Sequence, residues 1–273
     1  MRAVAVHPDA VVVTSRLWQT TATAIRARGT GPAAHETDSE AASGEAVLID
    51  SPYFPDELEL LPALLDQAGF RIDGLLATHA DFDHLLGRLA FGDRTLGVGE
   101  PTAARLRAEP GAAQRELRDA DAEHYVTRPR PLALGGVQAL PVPGRVELGG
   151  EELELHSAEG HTADGTAVFA RSLGVLVCGD YLSDVEIPWI SSGGSLDAYR
   201  ATLARLTPLV RAADAVVPGH GSPHDRDTAL RILDEDLGYL QALGRGEERP
   251  ALPGGRDTRR QRAIHTENLE RLR

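Results

Sequence analysis

The segment LLATHADFDH, residues 75–84, holds the densest group of chemically active side chains in this sequence. Its apolar start predicts a buried strand, and four side chains able to bind a metal follow it directly: His79, Asp81, Asp83 and His84. In an extended chain the first three share one face, because successive side chains point to opposite faces. A turn at Asp83 and His84 can direct these two side chains away from that face. One short loop can then supply ligands to two neighbouring metal ions.

Three further candidate ligands each follow a short β-type segment. They are His161 in Gly-His-Thr, Asp180 in Cys-Gly-Asp and His220 in Pro-Gly-His-Gly. Strand ends hold side chains in defined positions, and the glycine before each candidate allows a close approach of the backbone to a metal. Each short motif alone is common, but their order along the chain predicts one site with seven ligands.

The sequence of predicted elements favours an α/β fold with four layers. Short strands and helices alternate in the first half, and a second β-rich half begins near Leu132. Each sheet must cover one face with the other sheet and its opposite face with helices. We therefore expect an αββα sandwich over residues 1–243, followed by a polar, Arg-rich tail over residues 244–273.

Individual elements carry further expectations. We predict one helix over Pro55–Gln67, in which Pro62 kinks the helix or starts a second one, and another helix over Pro101–Asp119. We expect the polar stretch Gly29–Gly44 to form a mobile loop, because it has too few apolar residues to pack. We interpret the tail as an appendage with at most one helix, near Arg259–Leu272.

Composition narrows the class of protein. The net charge of −13, from 28 basic and 41 acidic side chains, would repel a nucleic acid. The single Cys178 excludes an intramolecular disulfide, and Pro8 and Asp9 interrupt what would otherwise resemble a secretory signal. No apolar run approaches the roughly 20 residues that a bilayer requires. We expect a cytoplasmic protein with a small-molecule substrate, no nucleic acid or membrane partner, and self-association left open.

With these motifs the sequence resembles the metallo-β-lactamase superfamily over residues 11–243. That family carries an HxHxDH loop, then separate His, Asp and His ligands, on an αββα sandwich. The resemblance also implies that Asp50 is the supporting acidic residue that hydrogen-bonds the ligand loop. The ligand set that it implies is His79, Asp81 and His161 for a first metal, Asp83, His84 and His220 for a second, and Asp180 as the bridge between them.

Asp81 departs from the family pattern, because most members have the second His of the loop at this position, and the motif here is HxDxDH. An added carboxylate lowers the positive charge of the site and makes it a milder Lewis acid. A hard oxygen ligand also shifts the preference towards iron or manganese, and flavodiiron proteins are similar to this variant. We expect two divalent metal ions, with zinc favoured and iron or manganese as alternatives, and leave open whether Asp81 touches a metal.

The resemblance implies a metallo-hydrolase that uses a hydroxide held by two metals to cleave a small ester-like substrate, such as a thioester, lactone or phosphoester. Asp83 and Asp180 are the residues that we expect to be catalytic. Three alternatives stay open: an iron-dependent redox or dioxygen enzyme, a nucleic-acid-processing member, and a non-catalytic metal-binding protein. A family fold does not identify the substrate.

Other residues have weaker claims on the site. The segment after Asp180 is long enough to form a rim, which makes Tyr181 and Trp189 candidates for a substrate pocket. Cys178 is interpreted as a small buried side chain of the core. The histidines without local partners, to which we assign structural or surface roles, are His124, His156 and His224.

Overall fold

The computed structural model describes residues 1–27, 45–247 and 249–273. Within these ranges two β-sheets pack face to face and helices cover both outer faces. The predicted αββα arrangement of four layers is confirmed. The stretch Gly29–Gly44, predicted to be a mobile loop, lies outside the described residues.

The first sheet has seven strands in sequential order. Its first four strands pair antiparallel, and the fourth to seventh pair parallel. Parallel pairing brings the carboxyl ends of neighbouring strands to the same edge of the sheet. The strands are Arg2–His7 (β1), Ala10–Thr14 (β2), Thr21–Arg26 (β3), Glu45–Asp50 (β4), Arg71–Ala77 (β5), Thr95–Gly99 (β6) and Val137–Leu140 (β7).

The second sheet has six strands, which neighbour one another in their order along the chain. Its pairs are antiparallel, apart from the parallel pair of its fourth and fifth strands. The strands are Gly144–Leu148 (β8), Glu151–Ser157 (β9), Thr166–Ala170 (β10), Val175–Val177 (β11), Ala215–Val217 (β12) and His224–Asp225 (β13).

Helices form the two outer layers. Among the residues that the structure describes, none of the helices combines the length and the apolar character that crossing a bilayer requires. The helices are Pro55–Gln67 (α1), Gly87–Ala90 (α2), Glu100–Ala108 (α3), Ala112–Glu123 (α4), Leu196–Ala212 (α5), Arg226–Gly244 (α6) and Arg259–Arg271 (α7).

Strand β4 explains how one short segment serves two layers of the core. Ala46 and Leu48 belong to the cluster beneath the helices of the first sheet, whereas Val47 and Ile49 face the second sheet. Successive side chains of a strand point to opposite faces, so both faces of β4 are buried. A strand in this position needs an unbroken apolar sequence, as β4 has.

The prediction of a single helix over Pro101–Asp119 is wrong. The region is helical, but two helices, α3 and α4, occupy it. They are separated at Pro110 and Gly111. A proline disfavours the helical conformation in the residue before it, and Gly111 has a φ of +77°. The alternative of a second helix starting at Pro62 is also wrong, because α1 continues through this residue.

The sequence pattern does not predict three of the strands, β1, β6 and the two-residue β13. Strand β1 lies at the edge of the first sheet and is mostly exposed, so no buried face marks it in the sequence. Strand β6 has the sequence TLGVG, and its two glycines are residues depleted in strands.

The tail is not an appendage in the described structure. Ile264 of α7 is 4% exposed and belongs to the core cluster that α5 and α6 form on the second sheet. Ahead of α7, the buried Arg256 donates hydrogen bonds to the carbonyls of Ser183 and Glu186 and to the Asp236 carboxylate, at 3.0, 2.9 and 2.6 Å. Packing and hydrogen bonds thus join this part of the chain to the second sheet.

Glu57, in the first turn of α1, connects this helix to the turn after β2. Its carboxylate accepts hydrogen bonds from Ser15 Oγ at 2.5 Å, from Arg16 N at 3.0 Å and from Phe54 N at 3.2 Å. Burial by itself raises the pKa of Glu57, but these donors outweigh it and hold the pKa below its usual value. The ionised carboxylate therefore stabilises the folded state.

We predict that Glu57→Gln lowers the free energy of unfolding at pH 7 by about 2 kcal/mol, because hydrogen bonds to a charged acceptor are lost. The folded-state pKa is lowered, so the contribution of Glu57 is present above the ordinary pKa of glutamate and is lost as the pH falls. The difference between the two proteins should therefore shrink below about pH 4. Denaturant unfolding of metal-free protein at several pH values measures it.

Glu59→Gln is the matched control, because Glu59 is exposed on the same helix. It should change the free energy of unfolding by less than about 0.5 kcal/mol. A destabilisation by Glu57→Gln that stays constant with pH would contradict the role of the ionised carboxylate.

Candidate metal centre

The seven candidate ligands lie on loops at one end of the two sheets. The loop of residues 79–84 follows β5 of the first sheet. In the second sheet, Asp180 follows β11, His220 follows β12, and His161 lies between β9 and β10. Ligands from both halves of the chain therefore meet at this end of the sandwich.

Hydrogen bonds join the two sheets beside these loops. Thr21 N donates to the Gly219 carbonyl at 2.8 Å, and the Thr21 hydroxyl donates to the Pro218 carbonyl at 2.6 Å. Thr166 N donates to the Thr78 carbonyl at 2.8 Å. These contacts lie next to the candidate ligands in the sequence, and they fix the loops of one sheet against those of the other.

Asp180 lies at the centre of the site. Its Oδ1 is 3.2 Å from His84 Nε2, and its Oδ2 is 3.2 Å from His161 Nε2. The same Oδ2 is 3.4 Å from His220 Nε2 and 3.7 Å from His79 Nε2. One carboxylate thus faces the Nε2 atoms of all four histidines.

The remaining carboxylates flank this centre, one on each side. Asp81 Oδ2 lies 3.4 Å from His161 Nε2, and Asp83 Oδ2 lies 3.5 Å from His220 Nε2. Donor atoms within 4.8 Å of one another form three groups: His79, Asp81 and His161; Asp83, His84 and His220; and His79, His84 and Asp180. The first two groups are the sets that the family resemblance implies for two metals, and their role as ligands stays a prediction.

The Nδ1 atoms of the four histidines face away from the centre, towards acceptors. His161 Nδ1 lies 2.8 Å from the Trp189 carbonyl, and His220 Nδ1 lies 3.1 Å from the Trp18 carbonyl. A carbonyl can only accept, so these Nδ1 atoms carry the proton.

The other two histidines also have an oxygen atom near Nδ1, but only that of His79 is in hydrogen-bond geometry. His79 Nδ1 lies 3.0 Å from the Thr78 hydroxyl oxygen, whose proton is donated to Asp50, and His84 Nδ1 lies 3.0 Å from Asp50 Oδ2. Each ring therefore directs its Nε2 to the centre, where the neutral form of the imidazole offers a lone pair to a metal.

Buried polar atoms without a hydrogen-bond partner mark the centre. Within the described ranges they include Nε2 of His79, His84 and His161 and Oδ1 of Asp180. Lone pairs and carboxylates that face one another in a buried site repel unless positive charge lies between them. Imidazole nitrogens and carboxylate oxygens are the donors that divalent zinc, iron and manganese accept. The residues therefore fit two divalent cations.

The pKa values reflect the same electrostatics. Burial lowers the pKa of His220, but the carboxylates of Glu186 and Asp180 outweigh it and raise the pKa to about 9. Burial raises the pKa of Asp180, but the neighbouring histidines outweigh it and hold the pKa well below its usual value. The site thus favours positive charge at the ring nitrogens and negative charge at the carboxylates.

Asp50 contacts the loop of residues 79–84, as the family resemblance implies for the supporting acidic residue. It ends β4 with a φ of +60°, which turns its carboxylate towards the loop. Oδ1 accepts a hydrogen bond from Thr78 N at 2.8 Å, and Oδ2 accepts one from the Thr78 hydroxyl at 2.9 Å. One carboxylate therefore orients both His79, through Thr78, and His84.

Gly219 is required by the close approach of a loop to the centre. A Cβ at this position would lie 2.1 Å from Asp180 Oδ1 and 2.9 Å from His84 Cε1. Any larger residue would displace two candidate ligands. The sequence-based interpretation of the glycine before His220 is supported by this contact.

A cleft of about 540 Å³ opens above the centre. Aromatic side chains on its wall are Trp18, Phe82 and Trp189, and helix α7 contributes Arg260 and Ile264. Arg260 lies over the Trp18 ring at 4.7 Å and its Nη2 is 2.8 Å from Glu186 Oε1. Further charged residues that line it are Asp81, Asp83, Arg105, Glu116, Glu123, Asp180, Glu267 and Arg271.

The two candidates for the substrate pocket differ in position. Trp189 lines the cleft, as predicted for a rim residue. Tyr181 does not line it, because its ring is buried. The Tyr181 hydroxyl accepts from His161 N at 3.0 Å and donates to the Ala158 carbonyl at 2.9 Å, so it supports His161.

Helix α7 supports the loop of Trp189 and was missed as part of the site. Asn268 Oδ1 accepts from Ile190 N at 2.8 Å, and its Nδ2 donates to the Pro188 carbonyl at 2.7 Å. Gln261 Oε1 accepts from Ile187 N at 2.8 Å. The Trp189 carbonyl that orients His161 is therefore held between two amide side chains of α7.

Arg105 is a further residue of the site that the sequence does not indicate. It lies on α3, and its Nη1 is 2.8 Å from Asp81 Oδ1. No motif or spacing in the sequence relates this arginine to the loop of residues 79–84.

The contacts of the cysteine and of the other histidines are compatible with the core, structural or surface roles expected for them. Cys178 is buried, as predicted for a core side chain, and burial raises the pKa of its thiol. His156 Nε2 lies 3.0 Å from Glu154 Oε2, and His224 Nε2 lies 3.9 Å from Asp184 Oδ1. His124 packs edge-on against Trp18 and lines the cleft.

We predict that Asp50→Asn weakens zinc binding by about 10- to 100-fold. An amide nitrogen only donates, and it would replace either the oxygen that faces Thr78 N or the oxygen that faces the Thr78 hydroxyl and His84 Nδ1. Asparagine tolerates the positive φ of this position, so the backbone is conserved. Competition with a chromophoric chelator measures the affinity. Asp73→Asn, at an exposed position of β5, is the control and should bind zinc as the unsubstituted protein does. Equal affinities for all three proteins would contradict the role of Asp50.

We predict that Asn268→Ala weakens zinc binding by about tenfold or more, because the Trp189 carbonyl loses the support that orients His161. The same change leaves Ile190 N and the Pro188 carbonyl unpaired and should lower the free energy of unfolding by about 2 kcal/mol. Chelator competition and denaturant unfolding measure the two effects. Glu270→Ala, on the exposed side of α7, should change neither. Unchanged zinc affinity in a destabilised Asn268→Ala protein would limit α7 to a role in stability.

Solved structures with the same fold are distant in sequence. The protein TTHA1429 of the metallo-β-lactamase family, from Thermus thermophilus, shares 19% identity at a TM-score of 0.64, over 88% of this chain and 82% of that chain. The DIM-1 metallo-β-lactamase exposed to ceftazidime shares 16% identity at a TM-score of 0.62, over 89% and 97%. The protein TTHA1623 in a di-iron-bound form shares 22% identity at a TM-score of 0.57, over 81% and 97%. At these identities the likeness shows the fold alone.

The family model provides the assignment that these distant structures do not. A search of curated proteins finds no match. The model described as the metallo-beta-lactamase superfamily matches residues 41–220, which is more than half of the chain and spans all seven candidate ligands. The chain therefore belongs to the metallo-β-lactamase superfamily.

Proposed function

We propose that this protein is a metal-dependent hydrolase that cleaves a small ester-like substrate, such as a thioester, lactone or phosphoester. The observation that carries the proposal is the convergence of four Nε2 atoms on the Asp180 carboxylate, with Asp81 and Asp83 beside them. The proposed ligands are His79, Asp81 and His161 for one cation, Asp83, His84 and His220 for the other, and Asp180 between them.

When bound, two divalent cations acidify water and polarise the electrophilic group of a substrate. The side chains of this chain hold and orient the donors for that chemistry. Asp180 faces both halves of the site, and Asp83 lies beside His220 at the floor of the cleft, so these are the carboxylates proposed to be catalytic. The Nδ1 partners orient the rings so that each Nε2 is directed inward.

The side chains near the centre support a mechanism without a protein nucleophile. Cys178 is buried, and its thiol has a raised pKa. Ser191 lines the cleft, but its hydroxyl donates to the His161 carbonyl at 2.7 Å. Neither side chain has the activation by a neighbouring base that a nucleophile requires.

The size and the lining of the cleft support the proposal of a small substrate. Its volume of about 540 Å³ lies in the range of small-molecule sites, and its aromatic wall suits an apolar group. The acidic groups on its rim and the net charge of −13 argue against a polyanionic nucleic acid.

An iron-dependent redox or dioxygen enzyme is the second candidate. It is favoured by the carboxylate of Asp81, which faces His79 and His161 at the position where most family members have a histidine. The similar structure of TTHA1623 is described in a di-iron-bound form, which keeps this candidate open for the same fold.

The deciding experiment combines metal analysis of anaerobically purified protein with a panel of thioesters, lactones, phosphoesters and β-lactams. We expect two equivalents of zinc and hydrolysis of at least one class without oxygen consumption. His161→Ala and Asp180→Ala should each bind fewer than two equivalents and lose hydrolysis to the background rate, while His156→Ala, outside the site, keeps both. Hydrolysis that persists in metal-free protein would refute the proposal, and iron with oxygen consumption would favour the second candidate.

A further inference from the structure

Arg105 contacts two carboxylates through a single nitrogen. Its Nη1 lies 2.8 Å from Asp81 Oδ1 and 2.9 Å from Asp164 Oδ1. The side chain is 21% exposed, and a guanidinium keeps its charge in such a place. Burial by itself lowers the pKa of Arg105, but Asp81 and Asp164 outweigh it and raise the pKa above its usual value.

Asp164 fixes the other end of this contact. It is buried, and its Oδ2 accepts a hydrogen bond from Ala80 N at 2.9 Å. Its carbonyl accepts from the Thr102 hydroxyl of α3 at 2.8 Å. Asp164 lies three residues after His161, so it joins the loop of His161, the loop of residues 79–84 and helix α3.

The two oxygens of Asp81 therefore have different environments. Oδ1 is held by Arg105, whereas Oδ2 lies 3.4 Å from His161 Nε2 and 3.7 Å from His79 Nε2. Rotation of the carboxylate would break the contact with Arg105. Only one oxygen is presented to the candidate donors of this half of the site.

The contact between Arg105 and Asp81 also affects the net charge of this half of the site. A carboxylate at position 81 adds a negative charge where the usual family motif has a neutral imidazole, and the guanidinium of Arg105 adds a positive charge next to it. At 2.8 Å and largely screened from solvent, the two charges interact strongly.

We propose that Arg105 is the positioning residue that makes Asp81 a one-oxygen metal ligand and offsets its charge. The contact allows an aspartate to replace the histidine of the family motif while the net charge of this half of the site is kept. The inference rests on the proposed function, because it concerns one ligand of the proposed metal centre.

A double-mutant cycle tests the proposal, with Arg105→Met, Asp81→His and the two combined. The measurement is the zinc affinity and stoichiometry of each protein, by chelator competition and metal analysis. We expect Arg105→Met to be at least tenfold more harmful to zinc affinity in the protein with Asp81 than in the D81H background, because only a carboxylate needs the guanidinium. Arg105→Lys, which keeps the charge, should lose less affinity than Arg105→Met.

The controls separate this role from a structural one. Arg107→Met, at an exposed position of the same helix, should bind zinc normally. Circular dichroism and thermal unfolding of the metal-free variants establish that each is folded. An equal effect of Arg105→Met in both backgrounds, or equal losses for the Met and Lys variants, would overturn the proposal while leaving the proposed function intact. An unsubstituted protein that binds no divalent cation would remove both.

Discussion

The carboxylate of Asp180, surrounded by the Nε2 atoms of four histidines, is the contact on which the rest of the site depends. Such a buried group of anionic and lone-pair donors has a high electrostatic energy unless cations lie between them. The surrounding structure is arranged to keep these donors in place. Asp50 supports His79 through the Thr78 hydroxyl and contacts His84 directly, and carbonyls of distant loops support the other two histidines.

Helix α7 connects the candidate metal centre to the cleft above it. Its amide side chains hold the loop of Trp189, whose carbonyl orients His161, and its outer residues line the wall that a substrate would touch. The same short helix thus influences ligand geometry and the shape of the cleft. Changes in α7 that alter the choice of substrate are therefore constrained by the need to keep His161 oriented.

The parts of the site that can be predicted from sequence are those made by side chains in dense motifs. The loop of residues 79–84 and the three Gly-associated ligands are visible because their chemistry is rare at such spacing. The Nδ1 partners of His161 and His220 are not visible, because they are main-chain carbonyls that every residue has. Arg105 is equally hidden, since nothing in the sequence distinguishes it from Arg107, the other arginine of α3. The strands also differ in how well the sequence predicts them. A strand buried on both faces, such as β4, has a continuous apolar sequence, whereas the exposed edge strand β1 has no such signal. The break at Pro110 and Gly111 could have been predicted, because both residues disfavour a continuous helix. The packing of α7 could not, because two of its three buried residues, Gln261 and Asn268, have amide side chains that are indistinguishable in sequence from those of surface residues.

The hydrogen bonds from Thr21 to Gly219 and from Thr166 to Thr78 join the sheets beside the candidate ligands, which themselves come from both halves of the chain. Cations bound there would link the loops of the two sheets. By mass action, an ion that binds the native form and not the unfolded chain shifts the folding equilibrium in proportion to the logarithm of its free concentration. Binding of such cations would therefore couple the free energy of unfolding of this protein to the metal supply of its surroundings.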